Sequence, residues 1–194
     1  AHRVAADVAE IVRALVAHQP VVGGHQRLRG GGHAAAAIGL VGYGEVGQRM
    51  ARELLTGPGA QRLRVLALTS QAERVGSLRA QGVTPLVGNL DHAATLRRLS
   101  GLATRVVHLA PPPGEGGGGA AWWRDPRTVA LARALRLRSL PVSLVYASTS
   151  GVYGDCAGAL VAETRPVAPG TPRAQRRVNA ERAVRHLGRA GVRT

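Results

Sequence analysis

A chain of 194 residues with 45% hydrophobic content and no apolar run long enough to span a bilayer reads as a soluble globular protein with one sizeable core and no membrane contact. Its net charge of +15 sets 26 basic residues against 11 acidic ones, and with no lysine in the sequence every one of the 26 is an arginine. Such a balance attracts anions, nucleotides among them, but the arginines are scattered and the few aromatics do not interleave with them, which argues against a nucleic-acid platform.

Residues 1–36 differ in pattern from the rest of the chain. Val4, Val8, Ile11, Val12, Leu15 and Val16 recur at helical spacing, and the segment then passes into Gly23-Gly24, Gly30-Gly31-Gly32 and Ala34–Ala37. This predicts an amphipathic helix and a Gly/Ala-rich linker. Asp7 and Glu10 do not suit an acid-poor transit sequence, so the segment is read as an appendage or partner-docking helix. Residues 37–194 form the main domain.

Ile38–Val41 is a short apolar strand that runs into G-x-G-x-x-G, with Gly42, Gly44 and Gly47 as its glycines and Tyr43, Glu45 and Val46 between them. An amphipathic helix over 46–55 comes next, with Val46, Met50, Leu54 and Leu55 on one side. A dinucleotide-binding turn requires this order. The first glycine permits the tight turn, the second lets backbone approach a pyrophosphate, and the third lets helix and strand pack closely. The unpaired N–H groups of the helix start then face the phosphates.

Apolar β-branched runs alternate with helical patterns from there on, the mark of βαβ units and a parallel sheet. Strands are predicted at 64–68, 83–87, 105–109 and 142–147, and helices at 71–81, 92–99, around 125–138 and at 173–187. Loops cover Pro111–Glu115, the run Gly116–Gly119, and the stretch from 148 to Thr171. Val192-Arg193-Thr194 reads as the start of a sixth strand, whose brevity would expose the edge of the fifth and invite self-association. The predicted class is α/β, a Rossmann-type doubly wound parallel sheet with helices on both faces.

In such a sheet the ligand lies beyond the carboxyl ends of the strands. After the second strand come Thr69 and Ser70, with Arg74 close behind and no carboxylate at the strand end itself to hold a ribose 2′-hydroxyl. This favours the 2′-phosphate of NADP over NAD, with Ser70 and Arg74 as contacts; the alternative is a solvated arginine on a helix. After the third strand, Asn89-Leu90 could meet the adenine, while Asp91 is expected to cap the next helix. After the fourth, Ala110-Pro111 would lie along the cofactor. The seven histidines show no metal-ligand spacing, and His108 is read as a packed residue. Cys156, the single cysteine, forms no intramolecular disulfide and fits a reducing cytoplasm.

The fifth strand leads into Ser148-Thr149-Ser150-Gly151-Val152-Tyr153-Gly154. With the glycine turn, Gly88-Asn89-Leu90, His108-Leu109-Ala110, Glu163-Thr164-Arg165-Pro166 and Ala180-Glu181, the chain over 38–194 resembles the extended short-chain dehydrogenase/reductase superfamily, the NAD-dependent epimerase/dehydratase group. The resemblance implies an NAD(P)-dependent oxidoreductase or epimerase transferring hydride on a carbonyl/alcohol or nucleotide-sugar-like substrate. It puts Thr149 at the place of the catalytic Ser/Thr, with Ser148 beside it. The family also carries Tyr-x-x-x-Lys on the next helix. Here Arg173 falls at the tyrosine position and Arg177 at the lysine position. Arginine stays protonated and cannot act as the acid, but Arg177 could donate to the ribose hydroxyls, and Tyr153 is a possible substitute acid. The family's C-terminal substrate part is expected to be missing. The alternative to an enzyme is a catalytically impaired NADP(H)-binding regulatory protein.

Overall fold

The computed structural model describes residues 10–13, 36–114 and 120–194. Five strands, β1 (Ala36–Val41), β2 (Leu63–Thr69), β3 (Thr84–Val87), β4 (Arg105–His108) and β5 (Ser143–Tyr146), form one sheet in the order β3-β2-β1-β4-β5. Every pairing is parallel, so each connection must cross over a face of the sheet. Helices α1 (Glu45–Thr56), α2 (Val75–Ala80), α3 (Pro126–Leu135) and α4 (Pro172–Gly188) supply those crossovers, with a 3-10 helix over Ala93–Leu99.

The period-2 alternation of the strands divides the core into two layers. Ile38, Leu40, Val65, Ala67 and Val107 point to the side covered by Met50 and Leu54 of α1 and Leu78 of α2. Val41, Leu66, Leu68, Val106 and Leu144 point to the other side, against Leu96, Leu99, Leu131, Leu135, Val184 and Leu187. Both faces are therefore covered, as the near-continuous apolar strands predict. Most of the predicted N-terminal helix and linker, and the run Gly116–Gly119, lie outside the described residues. Within residues 10–13, which are helical, Ile11 and Val12 pack against the layer under α1.

Three sequence expectations change. Val46 is 39% exposed; the buried face of α1 is Gly47, Met50, Ala51 and Leu54 instead. The helix predicted over 92–99 is a 3-10 helix whose buried residues, Leu96 and Leu99, are three apart and so share a face at three residues per turn. Asp91 does not cap it: the capping position is His92, without a side-chain bond. The start of a sixth strand is present as a parallel bridge from Arg193 to Ser143, with Leu144 N–H donating to the Arg193 carbonyl at 2.8 Å.

Helix α3 begins with a side-chain cap, as its Asp-Pro start suggests. The fully buried Asp125 carboxylate accepts from the backbone N–H of Arg127 (3.0 Å) and Thr128 (3.3 Å) and from the Thr128 hydroxyl (2.7 Å). Asp125→Ala is expected to lower stability by about 2–3 kcal/mol, more than loss of an exposed cap, because three donors lose their acceptor out of reach of water. Urea denaturation at pH 7 reads this directly, and a change under about 0.5 kcal/mol would contradict it.

Candidate functional site

The carboxyl ends of β1, β2 and β3 enclose a cleft of about 260 Å³. Its walls bring together Gly42, Tyr43, Gly44, Ser70, Arg74, Asn89, Leu90 and Ala110 from four separate parts of the sequence. All eight are candidate cofactor residues on sequence grounds. Arg127, which the sequence reading passed over, joins them. Among the described residues no carboxylate lines this cleft.

The glycines at its floor have distinct geometries. Gly42 has φ +103°, and a Cβ there would stand 2.6 Å from the Ala110 amide nitrogen; one on Gly47 would stand 2.5 Å from the Gly42 carbonyl oxygen. Gly44, by contrast, has no atom of the described residues within 4 Å of its Cβ position. It precedes α1 without a side-chain cap, so the first-turn N–H groups, those of Glu45, Val46 and Gly47, are free to meet an anion. At the edge of the cleft Arg74 donates to the Tyr43 carbonyl at 3.2 Å and lies 5.9 Å from the centre of its ring.

Ser148, Thr149, Tyr153 and Arg177 gather around the end of β5, off the cleft walls. Thr149 is exposed and precedes the 3-10 turn Ser150–Tyr153. Ser148 donates to Glu181 on α4 at 2.5 Å, and Glu181 in turn pairs with Arg185. Arg177 is buried, its Nη1 donating to the Ala147 carbonyl and, at 3.3 Å, to the Tyr146 hydroxyl. The guanidinium expected to reach a ribose thus braces the end of β5 against α4. Tyr153 donates to the Glu163 carbonyl at 3.4 Å. Pro111 directly follows the cleft residue Ala110, and its carbonyl accepts from Arg127.

A buried polar chain runs beneath this group. His108 lies 0% exposed, its Nε2 2.8 Å from the Thr128 hydroxyl, which donates to Asp125. A hydroxyl has one proton, so the imidazole must donate at Nε2. Burial, only partly offset by the Asp125 carboxylate, pushes the His108 pKa down to about 4. Burial likewise pushes Tyr146 up to about 12 despite the neighbouring Arg177, so Tyr146 stays protonated near neutral pH. Nothing in the spacing of His108, Asp125 and Thr128 announced this chain beyond the helix-capping signature.

The TrkA-N domain, a Rossmann NAD-binding domain, matches residues 38–110. Among solved structures, a short-chain dehydrogenase/reductase superfamily protein from Agrobacterium tumefaciens with bound NAD is 23% identical, with a TM-score of 0.63 over 80% of this chain and 46% of that one. UDP-glucuronic acid 4-epimerase from Bacillus cereus, in complex with NAD, is 21% identical with a TM-score of 0.61, covering 79% of this chain and 52% of that one. A double mutant of dTDP-glucose 4,6-dehydratase from Streptomyces venezuelae is 21% identical with a TM-score of 0.63, over 78% and 51%. This is a Rossmann fold. Its structural neighbours include a short-chain dehydrogenase/reductase superfamily protein, an epimerase and a dehydratase, each with NAD bound. The chain spans about half the length of these structures. Among curated protein sequences nothing matches. No helix among the described residues is long and apolar enough to cross a membrane.

The Rossmann domain carries its own pH dependence in His108. Its folded pKa lies below the ordinary 6.5, so its contribution is intact above pH 6.5 and is lost as pH falls from 6.5 towards about 4, where the unfolded chain takes up a proton that the folded one refuses. That gap corresponds to about 3 kcal/mol. Unfolding free energies at pH 7 and pH 4 should differ more in the wild type than in His108→Gln, which has no group titrating there. Equal pH slopes in the two proteins would count against the assignment.

Proposed function

We propose that this chain is the NADP(H)-binding part of an oxidoreductase or epimerase-like protein of the extended short-chain dehydrogenase/reductase type, working on a carbonyl/alcohol or nucleotide-sugar-like substrate in the cytoplasm. One observation carries the reading: the glycine turn is filled by backbone at Gly42 and Gly47 but empty at Gly44, which is the shape a pyrophosphate needs at a helix start. Neighbours of the same fold that bind NAD support it. Arg74 and Ser70 at the end of β2, with no carboxylate on the cleft wall among the described residues, favour a 2′-phosphate.

When bound, the nicotinamide would give or take a hydride. Thr149, exposed at the end of β5, would hold the reacting oxygen, with Ser148 steadied by Glu181 beside it. Tyr153 is the candidate acid, since its bond to the Glu163 carbonyl is at the long limit of a hydrogen bond. A second reading, an NADP(H)-binding regulatory protein without turnover, is favoured by the arginines at 173 and 177, because neither can release a proton. A search for turnover of carbonyl/alcohol pairs with NADPH or NADP separates the two.

Fluorescence titration at one salt concentration should show NADPH binding more tightly than NADH. Arg74→Ala should remove that preference, at about 1.5–3 kcal/mol for a charge-assisted contact. Equal affinities in the wild type would defeat the NADP assignment. Gly44→Val should abolish binding of both cofactors with little change in melting, since the added side chain enters open space rather than the core. Normal binding by that variant would reduce Gly44 to a turn residue.

A further inference from the structure

The cleft contains a second guanidinium that the glycine turn does not announce. We infer that Arg127 is a cofactor-contacting residue that grips the adenosine-diphosphate half common to NADH and NADPH; this rests on the reading of the cleft as a dinucleotide site. Arg127 leaves the first turn of α3 and reaches back to the segment after β3, where its Nε and Nη2 each lie 2.7 Å from an oxygen of Asp91. Its Nη1 donates to the Pro111 carbonyl at 3.3 Å, after β4. The fork therefore ties three segments together at the cleft wall that it lines.

The energetics argue for positioning rather than bracing. With side-chain exposures of 26% and 44%, such a pair is solvent-screened and adds little to stability. What the bidentate geometry does supply is a fixed orientation. A guanidinium has five N–H donors, and three are used here, leaving one on each terminal nitrogen for a ligand in the cleft. Asp91, held ionised by its bonds to Arg127, cancels the arginine's net charge. Arg127 therefore offers directed hydrogen bonds, whereas Arg74, with no ion pair among the described residues, offers a free charge suited to the 2′-phosphate. The two arginines should divide the cofactor between them.

The test titrates NADH, NADPH and ADP-ribose into the wild type and the variants R127A, R127K, D91N and R74A. R127A should weaken all three probes by a common factor of about ten, equivalent to about 1.4 kcal/mol. R127K should not restore them, because an ammonium lacks the planar fork. D91N, which releases the fork, should weaken all three by a smaller factor, and it carries the test if R127A does not fold. R74A should weaken NADPH alone. Wild-type affinity for all three probes in folded R127A and D91N, or a loss confined to NADPH in R127A, would overturn the inference while leaving the cleft a cofactor site. A wild type that binds none of the probes would remove the cofactor reading itself.

Discussion

The whole arrangement depends on how closely the end of β1 approaches the end of β4. The Val41 carbonyl accepts from two successive amides, Leu109 at 2.7 Å and Ala110 at 3.0 Å, so the chain leaving β1 must turn against backbone. Only a residue without a Cβ passes there: Gly42 at φ +103° would otherwise meet the Ala110 nitrogen at 2.6 Å. That closure fixes where α1 begins and aims its free amides over the sheet end. It also sets Ala110 into the cleft wall. The site is thus a consequence of strand packing, with no separate loop structure needed to build it.

The fold was largely legible because its signals are local. Strand alternation and the glycine turn each depend on a few neighbouring residues, and the two core layers arise from the period of the strands. That residues following separate strands line one cleft was legible for the same reason: in a doubly wound sheet, the residue after a strand is at the carboxyl-end face by topology alone. What could not be read were pairings at long sequence separation. Asp91 looks like a helix cap by its position, yet a guanidinium 36 residues away claims its carboxylate. Arg177 looks like a ribose donor, yet the Ala147 carbonyl and Tyr146 hydroxyl take its Nη1. In a chain whose every basic side chain except histidine is arginine, local pattern cannot say which carbonyl or carboxylate each will find.

Arginine usage also shapes the β5 side. Arg176 and Arg177 are both buried on α4, an unusual place for two adjacent cations. Arg176 donates to the Trp122 carbonyl, so both satisfy themselves partly on backbone oxygens instead of carboxylates. A planar, weakly hydrated guanidinium tolerates this better than an ammonium would. Where a Tyr-x-x-x-Lys helix presents a titrating phenol and an ammonium, this helix presents fixed structural cations. The phenol nearest to them, Tyr146, is pushed up to about 12 and out of the range of useful proton transfer.

The buried chain from His108 to Asp125 joins these two regions. Asp125 accepts the backbone N–H of Arg127 with the same oxygen that receives Thr128 N–H, so the residue that caps α3 also sets the direction from which the Arg127 side chain departs. The other Asp125 oxygen is fixed by the Thr128 hydroxyl, which is fixed by His108 on β4. An interior strand of the sheet, β4, therefore orients, through three buried side chains, the first turn of a helix whose arginine reaches the cleft. Because each acceptor in that chain is out of reach of water, none of its members can relax independently. The core polar groups and the cleft cations are parts of one construction, which is why an arginine so far from the glycine turn in sequence lines the same cleft.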